Sequence, residues 1–430
     1  MAKAHRQVLI ALAAGLVAAT VAVGSADAVS AAPDQVGGVV VSGLAGQFLT
    51  IGVASGPVTF ASDGAGEVPA RYEYWVNSGK HRSVRANKAG SATVSLTFTT
   101  HRNELFVEGV GSDGTVGAAT VGVYLANGAA PAAEKDSDGD GVPDLLAVGD
   151  PSGLGSGLWL AAGKPSGAAT GRVRTPAVNI GANGAGDGDP SYFDGANVIM
   201  GNFLGNNLQD LLVYFVSGPK AGAGIILPGT GDGSVEAGSD SVDANSADFQ
   251  DINGDIPIDL ANGYDSAGSH NVIPDFIGIS GSATDGYRLA YYPLQADAPL
   301  DIALGELTAD LTPTGGTDWQ NWQLFSTEMW SGTAIYLWNP TTGALYLWES
   351  VRFSDNGDFT GTISYVQYEV ADHWNPGATF STIEAVDFTG NGVPDLWAVA
   401  PNGIATAYVV SDLSTTAPAR IVAQTPQHLS

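Results

Sequence analysis

The run Asp136-Ser137-Asp138-Gly139-Asp140-Gly141-Val142-Pro143-Asp144 decides how this chain is read. Carboxylates stand at its first, third, fifth and ninth positions, and glycine at the sixth. Alternate side chains of a tight loop point inward, and a glycine lets the backbone fold back so that a carbonyl can join them. Ca2+ takes six or more oxygens at about 2.3–2.6 Å. The spacing therefore predicts a compact Ca2+ loop with Asp136, Asp138, Asp140 and Asp144 as ligands. An EF-hand is excluded, because its twelfth position needs a bidentate Glu and Ala147 stands there. The residues that follow, Leu145 to Val148, also read as a strand rather than a helix. The plainer alternative is a solvated Asp/Gly turn. Two echoes extend the signal. One is Asp251-Ile-Asn-Gly-Asp255, offering Asp251, Asn253 and Asp255. The other is Asp387-Phe-Thr-Gly-Asn-Gly-Val-Pro-Asp395, offering Asp387, Thr389, Asn391 and Asp395.

Working outward, the strand after the loop recurs. Pro143-Asp-Leu-Leu-Ala-Val148 returns as Gln209-Asp-Leu-Leu-Val-Tyr214, Pro274-Asp-Phe-Ile-Gly-Ile279 and Pro394-Asp-Leu-Trp-Ala-Val399, with Gly332–Leu337 as a degenerate copy. The starts are 66, 65, 58 and 62 residues apart, which marks an internal repeat. Each copy continues into a second strand, for example 157–160, 223–227, 287–291, 344–348 and 406–410. A third follows, as at 177–180 or 420–423. A fourth precedes the next loop, as at 197–202 and 384–387. Four strands per repeat is the pattern of a β-propeller.

Ahead of the repeats, residues 36–128 show short β-rich runs at 38–41, 48–53, 72–76, 92–98, 105–109 and 120–125. Turn residues separate them at sandwich spacing. Ser95–Phe98 alternates as a half-buried strand should, and Trp75 sits mid-strand as a candidate core aromatic. Residues 129–135, rich in Ala and Pro, read as a linker. Of 430 residues, 44 are acidic and 16 are Lys or Arg, a net charge of −28. Phosphate backbones would be repelled, which argues against nucleic acid as a partner. Residues 1–28 read as a secretory signal: Lys3 and Arg6, an apolar stretch 8–23 too short to span, then Ala26-Asp-Ala28 or Ser30-Ala-Ala32 for cleavage. No other stretch reads as membrane-inserting. With no cysteine, a secreted chain of this size finds rigidity elsewhere, and structural Ca2+ is the expected source.

Residues 136–425 resemble the FG-GAP or VCBS-type repeats of secreted bacterial proteins, related to the integrin α-chain propeller. The Asp-x-Asp/Asn/Thr-Gly-Asp/Asn loops and the Pro-Asp-Leu strands carry the resemblance. The preceding segment resembles the Ig-like modules found ahead of such propellers in actinobacterial proteins. Longer proteins of this kind often continue into a concanavalin-like domain. The resemblance implies an all-β chain: an Ig-like β-sandwich over 36–128 and a propeller of about five four-stranded blades over 136–430. It implies an extracellular protein. It does not imply an activity, because propellers host many functions.

Departures from the pattern are informative. The second loop, Asn202 to Asp210, has Leu204 where a ligand belongs, leaving Asn202, Asn206 and Asp210. The fourth repeat, entered at Phe325–Gly332, has no ligand set. In the third, Asp259 fits the ninth position by spacing and Asp275 by strand match. The first repeat lacks a leading strand, so either the N-terminal module donates one or the ring stays incomplete.

No Gly-x-Ser-x-Gly and no His-Glu-x-x-His occurs, and no catalytic residue is assigned. His373 near Trp374, and Arg288 near Tyr291 and Tyr292, are the nearest to catalytic pairs. Seven of the nine tryptophans follow residue 318. Trp338, Trp348 and Trp397 alternate on strands and read as packing. Trp319, Trp322 and Trp330 lie in a polar, loop-like stretch and are candidates for stacking on a sugar face. The expectation is a secreted, Ca2+-stabilised binding protein recognising a glycan or an extracellular protein. The alternative is a carbohydrate-active enzyme, a polysaccharide lyase or glycoside hydrolase.

Overall fold

The computed structural model describes residues 36–149, 151, 153–238, 240–269, 271–295 and 298–430. The expected signal segment 1–28 and His270 lie outside them. The described chain is all-β, with helix confined to four 3-10 turns at Pro165–Thr170, Pro190–Phe193, Gly218–Lys220 and Trp319–Asn321. It divides into two compact units, between Ala126 and Asn127.

In the first unit two antiparallel sheets share one core. Val39–Ser42, Val58–Ser62 and Ser91–Val94 form one sheet. Arg82–Arg85, Arg71–Val76, Arg102–Val110 and Thr120–Leu125 form the other. Successive strand residues face opposite sides. Val58 and Phe60 of one sheet therefore meet Tyr72, Tyr74, Leu105 and Val107 of the other. Leu96 and Phe98 are buried between exposed neighbours, as their alternation indicates. Trp75 corrects the sequence reading. With Tyr72 and Tyr74 inward, the pleat turns it to the outer face, where it stacks between His81 at 3.9 Å and Phe106 at 5.1 Å. Residues 48–53 form turns and isolated bridges rather than a strand, and Phe48 is exposed. Val58–Ser62 and Arg82–Arg85 are strands that the pattern missed.

The second unit is built from five successive strand groups. Group I holds Leu145–Val148, Leu158–Ala161 and Val178–Asn179. Group II holds Asn197–Gly201, Asp210–Tyr214, Gly224–Leu227 and Val242–Ala244. Group III holds Pro257–Tyr264, Asp275–Ser282, Gly286–Tyr292 and Glu306–Thr308. Group IV holds Gln323–Met329, Gly332–Trp338, Leu345–Asp355 and Thr360–Ala371. Group V holds Thr382–Val386, Asp395–Val399, Ile404–Ser411 and Arg420–Ala423, with Gln427–His428 added on the third strand. Within each group, neighbouring strands pair antiparallel. Groups III and IV also join through a short parallel pairing, Leu307 with Thr360 and Thr308 with Gly361, which makes one eight-stranded sheet.

Five apolar cores lie between groups, and each is shared by two. Leu146 and Val148 pack with Leu211 and Val213 (I and II). Leu212 and Tyr214 pack with Leu260 and Phe276 (II and III). Ile277 and Tyr291 pack with Ile335 and Trp348 (III and IV). Tyr336 and Trp338 pack with Leu396 and Ala398 (IV and V). Trp397 and Val399 pack with Leu145, Ala147 and Leu429 (V and I). Odd and even residues of one strand thus serve different neighbours, and both faces of each sheet are buried. This is why the strands read as continuous apolar runs. Trp338, Trp348 and Trp397 take the packing places expected of them.

Among the described residues the first group has three strands and no leading strand. Glu134 and Lys135 precede it instead. The Glu134 carboxylate accepts from the Tyr264 hydroxyl and from Thr327 Oγ1. Lys135, at φ +56°, is buried, and its charge draws down the carboxyls of Glu134 and Glu384, which burial raises. Val148 N–H donates to Thr382 Oγ1 at 3.0 Å, tying the first group directly to the fifth.

Candidate metal centre

In the first loop, oxygens of Asp136, Asp138 and Asp144 lie within 4.8 Å of one another. Two ligands on one Ca2+, each at about 2.3–2.6 Å, stand no more than about 5.2 Å apart, and each pair of these oxygens meets that limit. Backbone geometry builds the cup. Asp136 Oδ1 accepts from the N–H groups of Gly139 and Asp140, and Oδ2 from Gly141. Gly139 and Gly141 sit at φ +74° and +83°, where a side chain would be strained. Asp144 Oδ2 accepts from Ser137 N–H, and Oδ1 from Gly163 N–H at 2.8 Å. Burial, with the neighbouring Asp138 and Asp136 charges adding to it, pushes Asp144 up to about 7. Asp138 is also raised, by burial and by Asp140. A divalent cation reverses that preference by favouring the ionised form. Asp140 stands outside the trio, with its Oδ2 2.7 Å from Arg174 Nη2.

The Asp387 loop repeats this backbone pattern. Asp387 Oδ1 accepts from Gly390 and Asn391, and Oδ2 from Gly392. Gly390 and Gly392 are at φ +70° and +82°. Thr389 Oγ1 lies 3.3 Å from Asp387 Oδ1, and Asp395 Oδ2 accepts from Thr389 N–H. Its acids are two rather than three. Among the described residues, only the first loop gathers three carboxylates this closely.

The Asp251 loop sits elsewhere in its group, which corrects the sequence reading. It leads into the first strand of group III, Pro257–Tyr264, whereas the other loops lead into a second strand. The eight residues of 257–264 separate it from the Pro-Asp strand. Asp251 Oδ1 accepts from Asn253 and Asp255 N–H, and its Oδ2 from Ser280 Oγ. Asp275 opens the second strand. Asp259 instead holds the neighbouring first strands: Oδ1 accepts from Asn197 Nδ2 and Oδ2 from Leu324 N–H.

One role of the ninth-position acid emerges only from the structure. Asp144, Asp210 and Asp275 each accept from the N–H nineteen residues on, in Gly163, Gly229 and Leu294, and Asp395 accepts from the N–H of Val410, fifteen residues on. These acids clamp the end of the third strand, whether or not their loop keeps metal ligands. The second loop shows this. Asp210 is satisfied by Leu204 N–H, Gly229 N–H and Asn206 Nδ2, and Asn202 Oδ1 accepts from Asn207 N–H.

A cavity of about 660 Å3 is lined by the first strands of groups II to V, at Asn197, Asp259, Gln323 and Thr382, and by Val148 of group I, with Trp322 beside them. Burial pushes Asp259 up to about 7. The Trp322 indole is buried, and its Nε1 has no hydrogen-bond partner in the protein. Trp319 is also buried, at the III–IV core, and donates Nε1–H to Asp310 O. The stacking expectation for these two is therefore corrected, because a 3-10 turn at Trp319–Asn321 tucks both rings inward. Trp330 is fully exposed at the hairpin tip that replaces the loop in group IV. His373 lies at the surface beside Asp372, and Tyr291 and Tyr292 are buried.

No family model matches this chain, and no curated protein matches it. Among solved structures, it aligns over 92% of its length, and 99% of the other chain, with a Ca2+-stabilised adhesin that helps an Antarctic bacterium bind ice. The identity is 11% and the TM-score 0.18. It aligns over 90% of its length, and 75% of the other chain, with an exotype rhamnogalacturonan lyase at 12% identity and TM-score 0.21. Likeness at this level supports no inference about function. Among the described residues, no helix is long and apolar enough to cross a membrane.

Proposed function

We propose that this chain is a secreted, Ca2+-stabilised binding protein in which an Ig-like sandwich (36–128) and a linker (129–135) precede a five-bladed FG-GAP/VCBS-type propeller (136–430). Five inter-group cores, the last joining group V to group I, support a closed five-membered ring. Two face-to-face sheets on one core support the sandwich. Ca2+ is held by Asp136, Asp138 and Asp144, and in the second instance by Asp387, Thr389, Asn391 and Asp395. The extracellular partner is a glycan.

The cavity at the centre of the ring carries this reading. Four amide and four hydroxyl side chains, groups that pair with sugar hydroxyls, stand among lining residues that are otherwise mostly apolar, and Trp322, which also lines it, carries an unpaired buried donor, Nε1. An unpaired buried N–H is costly, and a ligand oxygen relieves that cost. A glycosidase or lyase needs a converging acid and base. Asp259 is the cavity's one ionisable side chain among the lining residues, and its oxygens already bond Asn197 and Leu324.

A glycan array on the mature protein in millimolar Ca2+ tests the proposal. Binding is expected, and it should be lost in Thr379→Arg, which blocks the cavity mouth from an exposed position. No binding across the array, or binding that persists in Thr379→Arg, removes the cavity from the reading.

A further inference from the structure

A second pocket, of about 540 Å3, is cationic in an acidic molecule. It is lined by Lys164, Arg172, Arg174, Thr175, Gln427 and His428, among others. Residues 127–430 contain eight Lys and Arg against 36 Asp and Glu, yet three of those eight bases converge here.

Register explains how. Gly163 bridges Val173 antiparallel, and Lys164 N–H donates to Arg172 O. Lys164 thus lies directly across from Arg172, and Arg174 is two residues along on the same face. Val173 alternates to the opposite side and is buried in the V–I core. Gln427 closes the far wall, bonding Val173 N–H and Gly171 O. Like charges directly opposite one another destabilise a ladder. Arg174 is compensated by Asp138 and Asp140. Lys164 and Arg172 are exposed, and neither has an acidic partner among the described residues. Folding does not require that arrangement, and ample acid is available to neutralise it.

We infer that Lys164 and Arg172, with Arg174 and His428 at the rim, bind a carboxylated oligosaccharide. The volume falls in the range of about 300–1,000 Å3 usual for small-molecule sites, so a single inorganic anion would leave most of it unfilled. Arg172 offers the planar fork that matches a carboxylate. Thr175 and Gln427 supply partners for sugar hydroxyls. No Trp, Tyr or Phe lines the pocket, so recognition rests on charge and hydrogen bonds, which sets it apart from the cavity proposed above.

Calorimetric titration of the full chain at fixed Ca2+ tests this, with a hyaluronate tetrasaccharide, neutral chitotetraose and sodium sulfate as separate probes. The hyaluronate fragment should bind. The double variant Lys164→Ala/Arg172→Ala, with an unchanged melting temperature, should lose roughly tenfold or more in affinity, as expected for charge-assisted contacts. Thr379→Arg should leave this binding intact, which separates the pocket from the cavity. Four results would each overturn the inference: no hyaluronate binding, equal binding of chitotetraose, sulfate binding as tightly as the saccharide, or affinity unchanged in the double variant.

Discussion

Trp322 shows how one side chain serves two ends. Its ring is in the III–IV core, the residue also lines the cavity, and its N–H is buried without a partner. Trp322→Ala should therefore unfold before it informs, costing about 3–5 kcal/mol as large aromatic deletions do. Trp322→Phe keeps the ring and removes the unpaired donor, so the melting temperature should hold while affinity for an array-identified glycan falls several-fold. Unchanged affinity would show that the N–H meets no ligand. Asp259 makes a pH prediction. Its folded value of about 7 lies well above the ordinary 3.8, so the folded state keeps a proton that the unfolded state has released. Its contribution to stability is complete below about pH 4, is lost as pH rises toward 7, and is constant beyond. Asp259→Asn should flatten that part of the melting-temperature profile, and an identical profile would refute the assignment. At this scale the sequence was legible in the first loop, where Asp136, Asp138 and Asp144 do come together. It misled at Trp319 and Trp322, because a Gly/Thr/Asn-rich surround reads as solvent-facing when one short turn is enough to fold both indoles inward.

Loops and strands were the most legible elements. The Pro-Asp-Leu recurrence located the second strand of four groups, since each acid must clamp the third strand as well as close a loop. Asp251 was misplaced because its local spacing matches the other loops, and only the intervening strand 257–264 shows that it stands at another point of its group. The loops also differ in their number of converging carboxylates. Asp138→Ala should weaken Ca2+ binding far more than Asn206→Ala, whose side chain already bonds Asp210; equal losses by calorimetric titration would contradict this. The closing contact between groups V and I can be probed through Leu429, buried with Leu145, Ala147 and Trp397. Leu429→Ala should cost about 2–5 kcal/mol, read as a shift in denaturant midpoint. A shift below half a kilocalorie, about the scale of an ordinary surface substitution, would mean that the tail lies outside the core.

At the scale of the molecule, Ca2+ bound as proposed would add stability, because it would favour the folded state alone. Chelation should lower the melting transition of the second unit by several degrees and leave that of the first nearly in place. A single unshifted transition, with no Ca2+ in elemental analysis of the native protein, would reject structural calcium. The five cores have one further consequence, which concerns synthesis. Four of them join neighbouring groups and can form as the chain emerges. The fifth cannot, because Leu145 and Ala147 wait for a partner at Leu429, roughly 280 residues later. At about 5–20 residues per second, the apolar edge of the first group stays uncovered for roughly a quarter of a minute to a minute. The nascent second unit is most exposed to aggregation along that edge, and a holdase that shields residues 145–148 would act where the fifth strand group has not yet arrived to cover them.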